Sequence, residues 1–169
     1  MVNPDLVNLP EIGTNCRGLY IFHCGCVDCD KLSFKMGMSI DIKKRLFTYH
    51  LSSPKGLNLA AILLADTKYQ RKELYAMETL FGKYLLAQPG VELLKMTVRK
   101  KGTGEWYTVS SLQGKNAWDR IVEISKQFYL DNPKHFRTKY LNQLSRKFEP
   151  PLLTFKKPRV GDTCADQRN

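Results

Sequence analysis

The chain has 169 residues, 43% of them hydrophobic, and a formal net charge of +11. That length can bury an apolar core without disulfides or metal. No run approaches the roughly 18 apolar residues of a spanning helix and no basic-flanked apolar leader opens the chain, so a soluble, intracellular protein, neither secreted nor membrane-bound, is expected. The charge divides as +2 over residues 1–94 and +9 over 95–169, an excess that calls for a polyanionic partner, nucleic acid before membrane.

In chain order, LYIF (19–22) and SFKMGM (33–38) are short apolar and aromatic runs with Gly25, Asp28 and Asp30 between them, the pattern of a β-hairpin. Ser39 stands at an N-cap position and Asp41 in a first turn, predicting a helix over 40–51. LNLAAILLA (57–65) is a near-continuous apolar run of strand length, as in a central strand covered on both faces. From Tyr69 to Ala87 the period is helical, with Leu74, Met77, Phe81 and Leu85 inside an arc of roughly 80°. Pro89 and Gly90 end that helix, and LLKMTVR, KKGTG and EWYTV follow as an accessory hairpin with a basic tip. Residues 116–130 read as a further helix through Trp118, Ile121, Val122, Ser125 and Phe128, with a short helix around 135–147 and a mobile tail beyond Glu149. The expected fold class is α+β: a small central antiparallel three-stranded sheet flanked by helices, with a basic helical C-terminal extension.

Three features carry chemistry. HCGCVDC places Cys24, Cys26 and Cys29 beside His23, yet a structural zinc takes two spaced ligand pairs and only Cys16 lies nearby. A hairpin tip is favoured over a zinc site, and a zinc-stabilised adaptor stays as an alternative. Glu78 falls about 40° from Leu74 at the edge of the apolar stripe, where a carboxylate must be paired, hydrogen-bonded or bound to a cation unless the helix turns it to water. Arg45 and Tyr49 share an edge of helix 40–51, a guanidinium beside a phenol that suits bidentate phosphate binding or, more plainly, a solvated flank.

These residues in this order resemble the GIY-YIG nuclease superfamily, through GLY (18–20), KMG (35–37), Arg45 in IKKRLFTYH and Glu78 in ELYAMETLF. The similar branch has Lys-x-Gly as second motif and a later Glu-Trp-aromatic, here GEWY (104–107), and is common in phages and large DNA viruses. The resemblance implies a nuclease domain over 17–110, with a packed basic helical extension over 111–148 and the tail over 149–169. It implies a metal-dependent endonuclease acting on double-stranded or branched DNA, with Tyr20 as base or water-orienting group and Lys35 as the ammonium that helps deprotonate it. Arg45 would hold the scissile phosphate. Tyr49 and His50 are both candidates for a further phosphate contact, since the family often has histidine at the position of Tyr49. Glu78 would ligate one divalent cation, Mg²⁺ or Mn²⁺. Arg99, Lys100, Lys101, Arg137 and Lys139, with Arg146 and Lys147, would neutralise DNA phosphates. No residue matches the late asparagine of many members, Asn116 lying beyond GEWY, so a catalytically degenerate binding module on the same fold is the alternative.

Overall fold

The computed structural model describes residues 16–52, 57–94, 105–136, 140–141, 148–149 and 151–158. Strands β1 (Gly18–His23) and β2 (Lys31–Ser39) form the expected hairpin, and β3 (Asn58–Leu64) pairs antiparallel with the other edge of β1. Every residue of β1 and β3 is buried, as continuous apolar runs require of strands covered on both faces. Alternation along β1 sends Leu19 and Ile21 to one layer and Tyr20 and Phe22 to the other.

Helix α1 (Ile42–Ser52) covers the Tyr20 side through Ile42 and Leu46. Its N-cap is Asp41 rather than Ser39, because Asp41 Oδ1 accepts from Lys44 N at 3.2 Å. Ser39 instead closes a local turn, accepting from Asp41 N at 3.0 Å. Helices α2 (Arg71–Leu86) and α3 (Ala117–Asp131) cover the opposite side. The predicted stripe of Leu74, Met77, Phe81 and Leu85 is buried, and Phe81 meets Phe128 of α3 with ring centroids 4.5 Å apart. Truncating such an aromatic costs roughly 3–5 kcal/mol.

The protein is α+β, but where three strands were expected its sheet has six: with β4 (Val91–Leu93), β5 (Glu105–Ser110) and β8 (Leu152–Thr154) the order is β4-β5-β2-β1-β3-β8. The accessory hairpin, β4 (Val91–Leu93) and β5 (Glu105–Ser110), joins the sheet through β2; residues 95–104, with Arg99, Lys100 and Lys101, lie outside the described residues.

Two expectations for the C-terminal part are corrected. A helix over 135–147 is ruled out because β6 (Tyr140–Leu141) pairs antiparallel with β7 (Phe148–Glu149), committing to a ladder backbone groups that a helix would need. Arg137, Lys139, Arg146 and Lys147 are outside the described residues. The segment 151–158, expected to be mobile, adds β8 (Leu152–Thr154) to the edge of β3. Leu64 N donates to Pro151 O at 2.8 Å, Phe155 N to Ala60 O at 3.1 Å, and the Trp118 indole N–H to Phe155 O at 3.1 Å. Proline supplies the extended φ and lacks only a donor, which an edge strand tolerates.

Candidate active site

The described part of β5 pairs with β2 no further than Met36. Gly37, Met38 and Ser39 lie beyond that pairing and line a cleft of about 360 Å³. Helix α1 reaches it from one side of the sheet and α2 from the other. Tyr20, Arg45 and Glu78 all line this cleft, so three residues separated by 58 positions of sequence are brought together by the hairpin and the two helices packed on it.

Tyr20 is 2% exposed and Gly37 stands directly opposite it on β2. A Cβ at Gly37 would collide with the Tyr20 hydroxyl, so only glycine leaves the phenol its place. Gly82 does the same on α2, where a Cβ would come 2.6 Å from the Tyr107 hydroxyl, another group lining the cleft. Arg45 is exposed at the rim and Glu78 is partly buried.

The Tyr20 phenol is held strongly in its protonated form. Burial is the main cause, followed by its hydrogen bond to Tyr49 and the charge of Tyr49; Arg45 opposes this and Glu78 adds to it. Tyr20 is thus hydrogen-bonded to Tyr49 and, keeping its proton, has lone pairs to accept from a water. These effects run against the expectation that Lys35 draws the proton off Tyr20. Lys35 pairs across the hairpin with Phe22 rather than Tyr20. Its ammonium lies 5.1 Å from the Tyr49 ring centroid and 5.7 Å from that of Trp106, a cation–π sandwich behind the cleft.

Neither Tyr49 nor His50, the two candidates on α1 for a further phosphate contact, lines the cleft; Tyr49 packs behind it, with its ring centroid 6.0 Å from Tyr20 and 5.2 Å from Phe22. Among the described residues the buried Nδ1 of His50 has no hydrogen-bond partner. Asn116 is far from this chemistry in role: its side chain caps α3 by accepting from Asp119 N at 2.8 Å.

At the hairpin tip, His23 Nδ1 lies 2.7 Å from Ser33 O and Nε2 2.8 Å from Cys26 O. A neutral imidazole has a single N–H, so one of these two carbonyl oxygens accepts from His23. Among the described residues no group of three or more His, Cys, Asp or Glu is placed to hold a metal ion, and no helix is long and apolar enough to cross a membrane. Cys16, Cys24 and Cys29 carry thiols.

The cleft also holds residues that the sequence did not single out: Arg71, Tyr75 and Lys83 of α2. Arg71 and Tyr75 fall within about 60° of Glu78 around the helix, which is the signal that links them to it. Periodicity alone marks them only as solvated positions. No family model, curated protein or solved structure matches the chain.

Proposed function

We propose that the chain is a metal-dependent endonuclease that hydrolyses DNA phosphodiester bonds at a single active site of the GIY-YIG type. The observation that carries this reading is the convergence of Tyr20, Arg45 and Glu78 on one cleft beside the end of β2. The order β, β, α, β, α with β1 central to the sheet supports a GIY-YIG-like domain over 17–110.

Each residue has a task suited to its chemistry. Arg45 presents a guanidinium from the rim, able to grip two oxygens of the scissile phosphate and to offset the charge that grows on them. Tyr20, keeping its own proton, orients a water by accepting from it and acts through placement rather than as a strong base. Tyr49 holds the Tyr20 hydroxyl in place through their hydrogen bond, and the Lys35 ammonium lies over the rings of Tyr49 and Trp106. Glu78 would hold the divalent cation. A single carboxylate supplemented by substrate phosphate and water fits the binding habit of Mg²⁺. When bound, the ion supplies positive charge against the leaving 3′-oxygen.

A second reading, a binding module that has lost catalysis, is favoured by one observation: no asparagine is among the described residues lining the cleft, and Asn116 caps α3 instead. A plasmid-nicking assay with Mg²⁺ decides between them. The nuclease reading expects nicking by the native chain and a loss of about 10²-fold or more in Tyr20→Phe and Glu78→Ala. The binding-module reading expects no nicking by any of the three, with DNA affinity that survives Glu78→Ala and falls steeply with salt.

A further inference from the structure

Helix α2 presents more to the cleft than Glu78. Arg71, Tyr75 and Lys83 line the same cavity from the same helix. Arg71 and Lys83 are exposed and Tyr75 is 49% exposed, a large share for an aromatic at the mouth of a cavity. Among the described residues no ion pair engages Arg45, Arg71 or Lys83. The cleft therefore offers three cationic side chains against the one carboxylate of Glu78, in a chain of net charge +11.

The spacing along α2 adds direction. Twelve residues separate Arg71 from Lys83, about 18 Å of helix, long enough to follow several phosphates of one strand. Tyr75 stands one turn from Arg71 and nearly one turn from Glu78, between a phosphate-binding cation and the hydrolytic centre. A half-exposed phenol in that place has a flat face to offer to a base. A base inside a duplex already has both faces covered by its neighbours, so only an unpaired or extruded nucleotide can use it.

From this we infer that α2 is the track for the cut strand: Arg71 and Lys83 bind phosphates on either side of the scissile bond, and Tyr75 stacks on an unpaired nucleotide next to it. The substrate class is thus DNA with at least one unpaired nucleotide at the cleavage position. This rests on the nuclease reading for what the cleft does, and on the geometry of α2 for what it holds.

The test measures binding in the absence of divalent metal, by fluorescence anisotropy, on two labelled DNAs of equal length. One is a continuous duplex and the other carries a short bulge with 2-aminopurine at the unpaired position. The expected result is affinity for the bulged DNA about tenfold above that for the duplex, most of it lost in Tyr75→Ala and retained in Tyr75→Phe. Arg71→Gln and Lys83→Gln should weaken both DNAs and each lower the salt slope by about one. Quenching of 2-aminopurine by the native chain reads the stacking directly and does not depend on any variant's folding. Equal affinity for the two DNAs, a Tyr75→Ala loss shared equally by both, or unquenched 2-aminopurine each overturns the inference. Adding Mg²⁺ to the same complexes separates the two claims. Tyr75-dependent binding without cleavage upholds the strand track and retires the nuclease, whereas cleavage indifferent to Tyr75 does the reverse.

Discussion

Gly37 of β2 lies directly across from Tyr20 of β1, and the Tyr20 hydroxyl occupies the space that a side chain at Gly37 would need. The second motif of the hairpin is therefore a steric requirement of the first. Gly37→Ala is expected to push the phenol out of the cleft, with a stability loss of about 1–3 kcal/mol from overpacking and a fall of at least about tenfold in nicking rate. Thermal melting read beside initial cleavage rates checks both, and an unchanged rate would separate the Tyr20 position from activity.

The protonation of Tyr20 has a pH signature. Its folded-state pKa is raised above the ordinary 10, chiefly by burial. Above pH 10 the folded chain therefore keeps a proton that the unfolded chain has lost, and stability falls as pH rises further. Tyr69 and Tyr84 are raised as well, so the share belonging to Tyr20 is the difference between native and Tyr20→Phe melting curves across pH 9 to 11. Tyr20→Phe should lose less stability over that interval. Between pH 7 and 9 the cleavage profile should show no limb from Tyr20 ionisation.

Local pattern and distant pairing separate what the sequence made legible. The buried stripe of α2 follows from 3.6-residue periodicity, and β1 and β3 from continuous apolar runs, because each signal is contained within its own element. Asp41, expected in the first turn, caps α1 in place of Ser39 because the two side chains, two positions apart, differ in which backbone N–H they reach. β8 was hidden for another reason. PPLLTF has too few residues for a period, and it becomes a strand only through β3, some 90 positions earlier in the chain. Arg45 and Glu78 stood out by their places around their helices and Tyr20 through the family resemblance, whereas Arg71, Tyr75 and Lys83 emerged only once the cleft gave them a common wall.

The docking of residues 151–158 predicts that a chain ending at Glu149 is destabilised. It would expose one edge of β3, leave the Trp118 indole N–H without Phe155 O, and uncover the packing of Leu153 and Phe155. A loss of at least about 3 kcal/mol is expected from the apolar burial and the orphaned donor together. Urea unfolding of the full and shortened chains measures it, and equal midpoints would contradict the docked arrangement.

Tyr69 Oη lies 2.7 Å from His135 Nδ1, and burial followed by the charge of Lys134 lowers the His135 pKa below the usual 6.5. Below pH 6.5 the unfolded chain takes up a proton that the folded chain resists, so stability is lost as pH falls through the histidine range. His135→Asn, lacking that group, should show a flatter melting-temperature profile between pH 7 and 5. A profile as steep as the native one would assign the acid sensitivity elsewhere.

The central claim is that the cleft shared by Tyr20, Arg45 and Glu78 hydrolyses DNA. Its most direct measurement is single-turnover cleavage of end-labelled DNA with Mg²⁺ by native chain and Glu78→Ala at matched bound fractions. The account predicts products with 3′-hydroxyl and 5′-phosphate ends from the native chain and a rate lower by about 10²-fold or more in Glu78→Ala. Absence of products with any divalent cation, or an unchanged rate in Glu78→Ala, would contradict it.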